Sequence, residues 1–191
     1  IGYIFNMVKE YFDKHIEIYS KLDFGAFELG VDLIWKTFIN KGKIFTCGNG
    51  GSALTASHYV TDWNKAITEV ASIPFQGISL VDNIGLVTAF ANDVSYAEIF
   101  TSQLKSLLGK KDLVIAISGS GNSPNVINAL DYANMIGADT LAIVGYDGGE
   151  LKKVAKHSIW IPSFDMQVCE DIQLMFGHVV VKKLTQKSAE S

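Results

Sequence analysis

Two short segments rich in glycine and serine carry the clearest candidate chemistry in this chain of 191 residues. The letters CGNGGS occupy residues 47–52, and SGSGNSP occupies residues 118–124. Glycine lets the backbone approach a ligand closely, and hydroxyl groups beside a helix N-terminus suit a phosphate. Ser123 can cap the next helix with Pro124 at its first position. The hydroxyls of Ser118 and Ser120 then remain for a ligand, so we expect an anion site there.

Simpler interpretations of both segments stay open. The first can be a tight strand-to-helix turn capped by Ser52, and the second a flexible glycine and serine turn. The first segment lacks the third glycine of the dinucleotide-binding GxGxxG pattern, and the GK[ST] ending of a P-loop is absent. The sequence therefore predicts no nucleotide cofactor.

Three further side chains could transfer protons, which needs a carboxylate or an imidazole facing the substrate. His58 and Asp62 are four residues apart, so they share one face of the helix predicted after CGNGGS. His178 lies in the apolar stretch FGHVVV, residues 176–181. The alternatives are an exposed polar pair for His58 and Asp62, and a buried structural histidine for His178.

The elements that must position these groups alternate along the chain. Apolar runs predict five strands, at Ile44–Cys47, Gly77–Val81, Leu113–Ile117, Thr140–Val144 and Ser158–Ile161. The helices predicted between and after them are Ala53–Lys65, Ile84–Phe90, Tyr96–Leu108, Pro124–Ile136, Gly149–Ala155 and Cys169–Gln186. This pattern is typical of an α/β fold with a five-stranded, mostly parallel sheet and helices on both faces. Ligands bind beyond the carboxyl ends of such strands, where both glycine-rich segments fall.

Two amphipathic helices precede the first strand. Apolar residues recur at helical spacing over residues 3–22, from Ile4 onward, and a second helix follows the N-cap Asp23 and ends near Asn40. The pair adds more apolar surface than one sheet needs, which favours a homo-oligomer, although packing on the chain's own sheet is equally allowed. We expect one domain over residues 1–191, with the helical pair in 1–42 and the α/β core in 43–186.

Composition excludes several classes of function. The formal net charge of −4 disfavours nucleic acid as a partner. Cys47 and Cys169 form no CxxC pair, which argues against a disulfide scaffold, a structural zinc site or a redox motif.

Neither a signal peptide nor an apolar run of about 20 residues is present, so we expect a cytoplasmic protein without a membrane partner. Because the chain begins with Ile1 rather than Met, we expect a few residues to precede it.

Three loops together resemble a known family. CGNGGS, SGSGNS and GYDGG (residues 145–149) each follow a predicted strand, and this combination resembles the SIS (sugar isomerase) family, in particular its phosphoheptose isomerases. The likeness runs from about Lys43 to Lys183. It implies a single SIS domain and an aldose–ketose isomerase that converts sedoheptulose 7-phosphate to D-glycero-D-manno-heptose 7-phosphate. The product would supply heptose for a surface polysaccharide, either lipopolysaccharide or capsule.

The resemblance also implies roles for individual residues. Asp62 would be the general base, and His178 the second catalytic group. The implied substrate-binding residues are Asn49, Gly50, Gly51, Ser52, Asp93, Ser118, Gly119, Ser120 and Ser123. Zinc is the implied cofactor, and the implied ligands are His58, Asp62, Glu170 and His178. A helix-ending turn is an equal interpretation of Asp93.

Three positions depart from the family pattern. Asp62 stands where the family has glutamate, Gly119 where it often has threonine, and Glu170 where it has glutamine. The first change shortens the expected base by one methylene. The second removes one expected hydroxyl contact to the phosphate.

Other functions fit the same loops. Non-catalytic SIS proteins that bind partner proteins share the loops but lack the acid–base pair. An isomerase of a different phosphosugar, such as a pentose 5-phosphate, would need the same groups. The expected partner is a phosphosugar substrate. The resemblance to the family also makes a homotetramer the expected assembly.

Overall fold

A computed structural model gives the fold of residues 2–190, with side chains described from Asn6 onward. Ile1, Ser191 and the side chain of Ile4, which opens the predicted apolar stripe, lie outside the described residues. The helices are α1 (Gly2–Tyr19), α2 (Phe24–Ile39), α3 (Gly51–Val70), α4 (Ile84–Asp93), α5 (Thr101–Leu107), α6 (Pro124–Ile136), α7 (Leu151–Val154) and α8 (Met166–Ala189). The strands are β1 (Ile44–Gly48), β2 (Gly77–Ser79), β3 (Leu113–Ser118), β4 (Asp139–Val144) and β5 (His157–Trp160).

The five strands form one sheet in the order β2-β1-β3-β4-β5, and every neighbouring pair is parallel. The predicted α/β class and five-stranded sheet are confirmed, and the sheet of the described residues is wholly rather than mostly parallel. The strand order reverses between β1 and β3, which pair from Ile44 with Leu113 to Gly48 with Ile117. Ligands of such sheets bind outside the carboxyl ends of the strands at this switch point. The two glycine-rich segments leave the sheet there.

Alternating side chains of the strands divide the core into two layers. In β3, the side chains of Leu113, Ile115 and Ile117 pack under α2, α3 and α8, whereas Val114 and Ala116 pack under α5, α6 and α7. All five are fully buried. Successive strand residues point to opposite faces, so helices on both sides bury a continuous apolar run.

The two N-terminal helices differ in how far they are buried. The second helix, α2, buries Val31, Ile34 and Phe38 against the sheet. Its N-cap is Asp23, as predicted, whose carboxylate accepts hydrogen bonds from two backbone N–H groups. Helix α1 packs beside α8 but leaves an apolar face exposed, formed by Met7, Val8, Phe12 and Ile16. Residues of α2 belong to the main hydrophobic core. The division of one domain into a helical pair at 1–42 and an α/β core at 43–186 stays a prediction.

A partly buried polar contact joins α1 to α8. His15 is 7% exposed, and its ring nitrogens lie 2.9 Å from the Tyr11 carbonyl oxygen and 3.0 Å from an Asp171 carboxylate oxygen. Tyr11 donates its hydroxyl to the same carboxylate, and this hydrogen bond raises the pKa of Tyr11 to about 12. The sequence suggested no partner for His15, because the partner lies far along the chain.

Two helices are much shorter in the structure than the sequence predicts. Tyr96–Leu108 is interrupted, because a 3-10 turn at Tyr96–Glu98 precedes α5 and the side chain of Gln103 donates to the Ile99 carbonyl at 2.9 Å. The helix predicted over Gly149–Ala155 is the single turn α7, because Gly148 and Gly149 adopt positive φ angles of 92° and 55°. Among the described residues, no helix combines the length and the apolar character that crossing a membrane requires.

Candidate functional site

The loops after β1 and β3 meet in a cavity of about 290 Å³ at the carboxyl edge of the sheet. All of the predicted substrate-binding residues except Asp93 line it. The lining consists of Asn49, Gly50, Gly51, Ser52, Ile117, Ser118, Gly119, Ser120, Ser123, Met166 and Glu170. Asp93 is instead the exposed last residue of α4, and its carboxylate accepts a hydrogen bond from Asn92 at 2.8 Å.

Three serine hydroxyls of the second loop remain able to donate into this cavity. Ser118 accepts a hydrogen bond from the Gly121 N–H at 3.0 Å, and Ser120 accepts one from the Asn122 N–H at 3.3 Å. Each hydroxyl therefore keeps its own hydrogen for another acceptor. Ser123 occupies the predicted N-cap position with Pro124 behind it, but its side chain makes no capping hydrogen bond. The sequence was right about the position and wrong about the capping.

The third glycine loop, residues 145–149, holds the second loop in shape. Gly121 has a φ of 70°, and a Cβ there would overlap with the Gly148 carbonyl. The backbone N–H of Leu151 donates to the Gly121 carbonyl at 2.8 Å, and that of Glu150 donates to the Asn122 side chain at 3.0 Å. Backbone packed against backbone requires glycine here, which explains why both loops are glycine-rich.

The first loop begins helix α3 directly. Its N-cap is Gly50, with a φ of 54°, so the interpretation of Ser52 as the cap is wrong. Ser52 lies in the first turn, is 5% exposed, and its hydroxyl donates to the Gln173 side chain at 3.5 Å. Burial raises the pKa of the neighbouring Cys47 thiol to about 12, which makes it a poor nucleophile.

The cavity is lined by neutral donors and one carboxylate. The chain contains no arginine, and no lysine lines the cavity. Glu170 lies over Gly51, where a Cβ would overlap with its carboxylate, and Met166 lies over Gly119 in the same way. The methionine therefore occupies the volume that a threonine at position 119 would need.

A second group of polar side chains lies farther along α3 and α8. The Nε2 atom of His58 lies 3.2 Å from that of His178 and 3.1 Å from an Asp62 carboxylate oxygen. These three residues could hold a metal ion, since their ligand atoms all lie within 4.8 Å of one another. His178 is exposed, so it is not the buried structural histidine that its apolar neighbours suggested. Glu170, expected as a fourth ligand, lies in the cavity and outside this group.

Helices α3 and α8 connect the cavity to the polar group. Both begin at the cavity, α3 with Gly51 and α8 with Met166. His58 follows Ser52 by six residues and His178 follows Glu170 by eight, which correspond to about 9 Å and 12 Å along a helix. The helices are joined by hydrogen bonds from Tyr59 to the Gln173 carbonyl and from Trp63 to the Gly177 carbonyl. The arrangement thus combines a cavity lined by serine hydroxyls with a cluster of one carboxylate and two histidines, both positioned by the same two helices.

Sequence reasoning missed three residues at the cavity. Asn125 and Tyr96 both hydrogen-bond to Asn49, and Met166 covers Gly119. The contact between Asn49 and Asn125 spans 76 residues, so no local pattern could reveal it. Met166 lies only one turn before Glu170 on α8, but its place depends on how that helix enters the cavity.

Known proteins resemble this chain over most of its length. The family model described as the SIS domain matches residues 10–145. A phosphoheptose isomerase from Helicobacter pylori is 35% identical over 178 residues, which are 92% of both chains. One from Aliarcobacter butzleri is 38% identical over 146 residues, which are 76% of both. The solved phosphoheptose isomerase GmhA from Neisseria gonorrhoeae has a TM-score of 0.85 and 25% identity, covering 95% of this chain and 98% of its own.

Replacement of Glu170 tests whether the cavity holds an anion. We predict that Glu170→Gln binds inorganic phosphate about three- to tenfold more tightly, because a like charge nearby costs about 1 kcal/mol at high effective dielectric. The gain should shrink at high salt, which screens the repulsion. Calorimetric titration measures both effects. The control is Glu69→Gln, which makes the same charge change at an exposed position of α3. Weaker phosphate binding by Glu170→Gln would show that the carboxylate holds the ligand instead of repelling it.

Proposed function

The chain belongs to the SIS domain family, and we propose that it is a phosphoheptose isomerase. Such an enzyme interconverts sedoheptulose 7-phosphate and D-glycero-D-manno-heptose 7-phosphate. The observation that carries the proposal is a cavity lined by serine hydroxyls and joined by two helices to a carboxylate and two histidines. A protein that only binds phosphosugars needs the cavity but not the second group.

The phosphate is proposed to bind in the cavity. Hydroxyls of Ser118, Ser120 and Ser123 can donate to its oxygens, and the N-termini of α3 and α6 point backbone N–H groups toward the loops. A helix dipole favours negative charge at this end, which compensates for the absence of lysine and arginine from the lining.

The length of the sugar bears on how far it reaches from the cavity along α3. With C–C bonds of about 1.5 Å, an extended seven-carbon ketose phosphate spans about 9 Å from phosphorus to C2. From Ser52, α3 rises about 9 Å to His58 and about 15 Å to Asp62. A seven-carbon sugar therefore reaches closer to the proposed base than a pentose 5-phosphate, which would be about 2.5 Å shorter.

The proposed reaction is a proton transfer between neighbouring carbons. Asp62 removes a proton from C1 of the ketose, and the C1–H electron pair forms the C1–C2 double bond of an enediol. His178 protonates the C2 oxygen and accepts the proton of the C1 hydroxyl. Asp62 then returns its proton to C2, which gives the aldehyde at C1 with no net change in atoms or electrons. His58 lies within hydrogen-bond distance of both groups and orients them.

Zinc is a proposed cofactor held by the same three side chains, whose ligating nitrogen and oxygen atoms could not also transfer protons while bound to it. Tetrahedral zinc with bonds of about 2.0–2.1 Å holds its ligand atoms about 3.3 Å apart, and the observed separations of 3.2 Å and 3.1 Å fit. When bound, zinc would polarise oxygen atoms of the sugar. Elemental analysis should find about one zinc per chain and clearly less in His58→Ala; equal zinc in both would exclude this site.

We further propose a homotetramer that acts in the cytoplasm and supplies heptose for a surface polysaccharide. The exposed apolar face of α1 supports an assembly, because exposed Met7, Val8, Phe12 and Ile16 form a stripe of the kind that another subunit covers. A cavity of about 390 Å³ between α1 and α8 also reaches His178, so a subunit packed there would border the acid–base group. Light scattering that returned only the monomer mass of 20.9 kDa would contradict this assembly.

Removal of the acid–base groups tests the reaction. We predict that Asp62→Asn and His178→Ala each lower kcat roughly 10²–10⁴-fold with little change in KM, because the phosphate loop is untouched. Direct detection of heptose 7-phosphate formed from sedoheptulose 7-phosphate measures the rate. Asp131→Asn, on the exposed side of α6, is the control and should keep full activity. Full turnover by both site variants would refute the assignment, and a native protein inactive even with zinc would indicate a binding module.

Removal of the loop hydroxyls tests the phosphate site. Each hydrogen bond to a charged phosphate contributes roughly 1.5–3 kcal/mol, so Ser118→Ala with Ser120→Ala should weaken binding of sedoheptulose 7-phosphate well over tenfold. Titration calorimetry measures the dissociation constant. Ser106→Ala, whose hydroxyl bonds to the Gln103 carbonyl at 3.1 Å, is the control away from the cavity. An unchanged affinity in the double variant would mean that the loop is structural.

A further inference from the structure

Two residues outside the glycine-rich segments hydrogen-bond to Asn49, which lines the cavity. Asn49 and Asn125 each donate from the side-chain nitrogen to the oxygen of the other, both at 2.8 Å. The hydroxyl of Tyr96 donates to the same Asn49 oxygen at 2.8 Å. Asn125 is 1% exposed, so its amide groups depend on these protein partners.

The direction of these hydrogen bonds is set by a group that cannot reverse. The backbone N–H of Val126 donates to the side-chain oxygen of Asn125 at 3.0 Å, and a backbone N–H is only a donor. This fixes which end of the Asn125 amide is oxygen. The reciprocal pair then fixes the orientation of the Asn49 amide, because a flipped Asn49 would face nitrogen with nitrogen and oxygen with oxygen.

A count of donors and acceptors leaves Asn49 one free group. Its oxygen has two lone pairs, which Tyr96 and Asn125 use, and its nitrogen has two hydrogens, of which Asn125 takes one. The group that remains for the cavity is a single N–H. Asn49 can therefore donate to an oxygen of a ligand but has no lone pair left to accept from a ligand.

Burial alone does not explain the position of Tyr96. Its side chain is 58% exposed, and the helix before it, α4, contains no buried residue. Nevertheless its hydroxyl donates to Asn49, a cavity-lining residue 47 positions away in the sequence. Because Tyr96 buries little apolar surface, the main effect of this contact is to satisfy the side-chain oxygen of Asn49.

We propose that Asn125 and Tyr96 are positioning residues that fix Asn49 as a hydrogen-bond donor to an oxygen of the bound phosphosugar. The inference rests on the proposed function of the same cavity and assigns it two further residues. Neither residue touches the reacting carbons, so both act on binding through Asn49. Their loss should raise KM and the dissociation constant while leaving kcat nearly unchanged.

A double-mutant cycle tests this. In the native background, Tyr96→Phe should weaken binding of sedoheptulose 7-phosphate and of inorganic phosphate about three- to tenfold, with kcat within about twofold. In the Asn49→Ala background, the same change should alter binding less than about 1.5-fold, because Tyr96 acts through the missing amide. Tyr132→Phe, which removes a hydroxyl from α6 away from the cavity, is the matched control and should change neither constant.

A second variant guards against a folding defect. Asn125→Asp keeps the shape and still accepts from Val126 and Asn49, but it cannot donate to the Asn49 oxygen. Its added negative charge alone should weaken phosphate binding about three- to tenfold, so only a larger loss supports the positioning role, and urea unfolding of each variant measures its stability. If Asn125→Asp does not fold, the cycle with Tyr96→Phe decides alone, because Tyr96 is exposed.

The outcomes separate this inference from the proposed function. Equal weakening by Tyr96→Phe in both backgrounds, or no weakening in either, would overturn the positioning role. Coupling seen with inorganic phosphate but no binding of sedoheptulose 7-phosphate would support the positioning role and overturn the proposed substrate. A native protein that binds neither ligand would overturn both.

Discussion

The close packing of α3 against α8 is the constraint on which the rest of the site depends. Gly177 lies against Tyr59, where a Cβ would overlap with the ring, so only glycine allows this approach. Tyr59 and Trp63 are fully buried and stacked with their ring centroids 4.7 Å apart. Because both helices begin at the cavity and stay in contact, His58 and His178 meet at a fixed distance from it. A shift of either helix would separate the histidines and misplace Glu170 and Ser52 together.

The polar groups at the start and at the middle of this helix pair differ in charge. At the start, serine hydroxyls and helix N-termini border the cavity, and no lysine is among its lining residues. Midway along both helices, the carboxylate of Asp62 lies beside two histidines that remain open to solvent. Met166 over Gly119 and Glu170 over Gly51 show a cavity whose glycines and covering side chains fit one another.

Much of this arrangement could be predicted from local sequence. Apolar runs located all five strands, and glycine with serine located the loops, because each pattern reflects the residue's own backbone preference or burial. The pairing of His58 with Asp62 followed from helical spacing. Contacts between distant segments could not be read in this way: Asn49 with Asn125, His15 with Asp171, and Glu170 with Gly51 all depend on how the elements assemble. The Ser123 hydroxyl makes no capping hydrogen bond, and His178 is exposed. Both are tertiary properties, and the neighbouring residues in the sequence suggested the opposite.

The central claim is that a sugar phosphate bound in the cavity reaches along α3 to the group of Asp62, His58 and His178. The most direct measurement is kcat/KM for ribulose 5-phosphate, fructose 6-phosphate and sedoheptulose 7-phosphate under identical conditions. Because Asp62 lies ten residues beyond Ser52, about 15 Å along α3, the account predicts the highest value for the seven-carbon substrate, which reaches farthest, and the lowest for the five-carbon one. Equal values, or a maximum for ribulose 5-phosphate, would contradict the account.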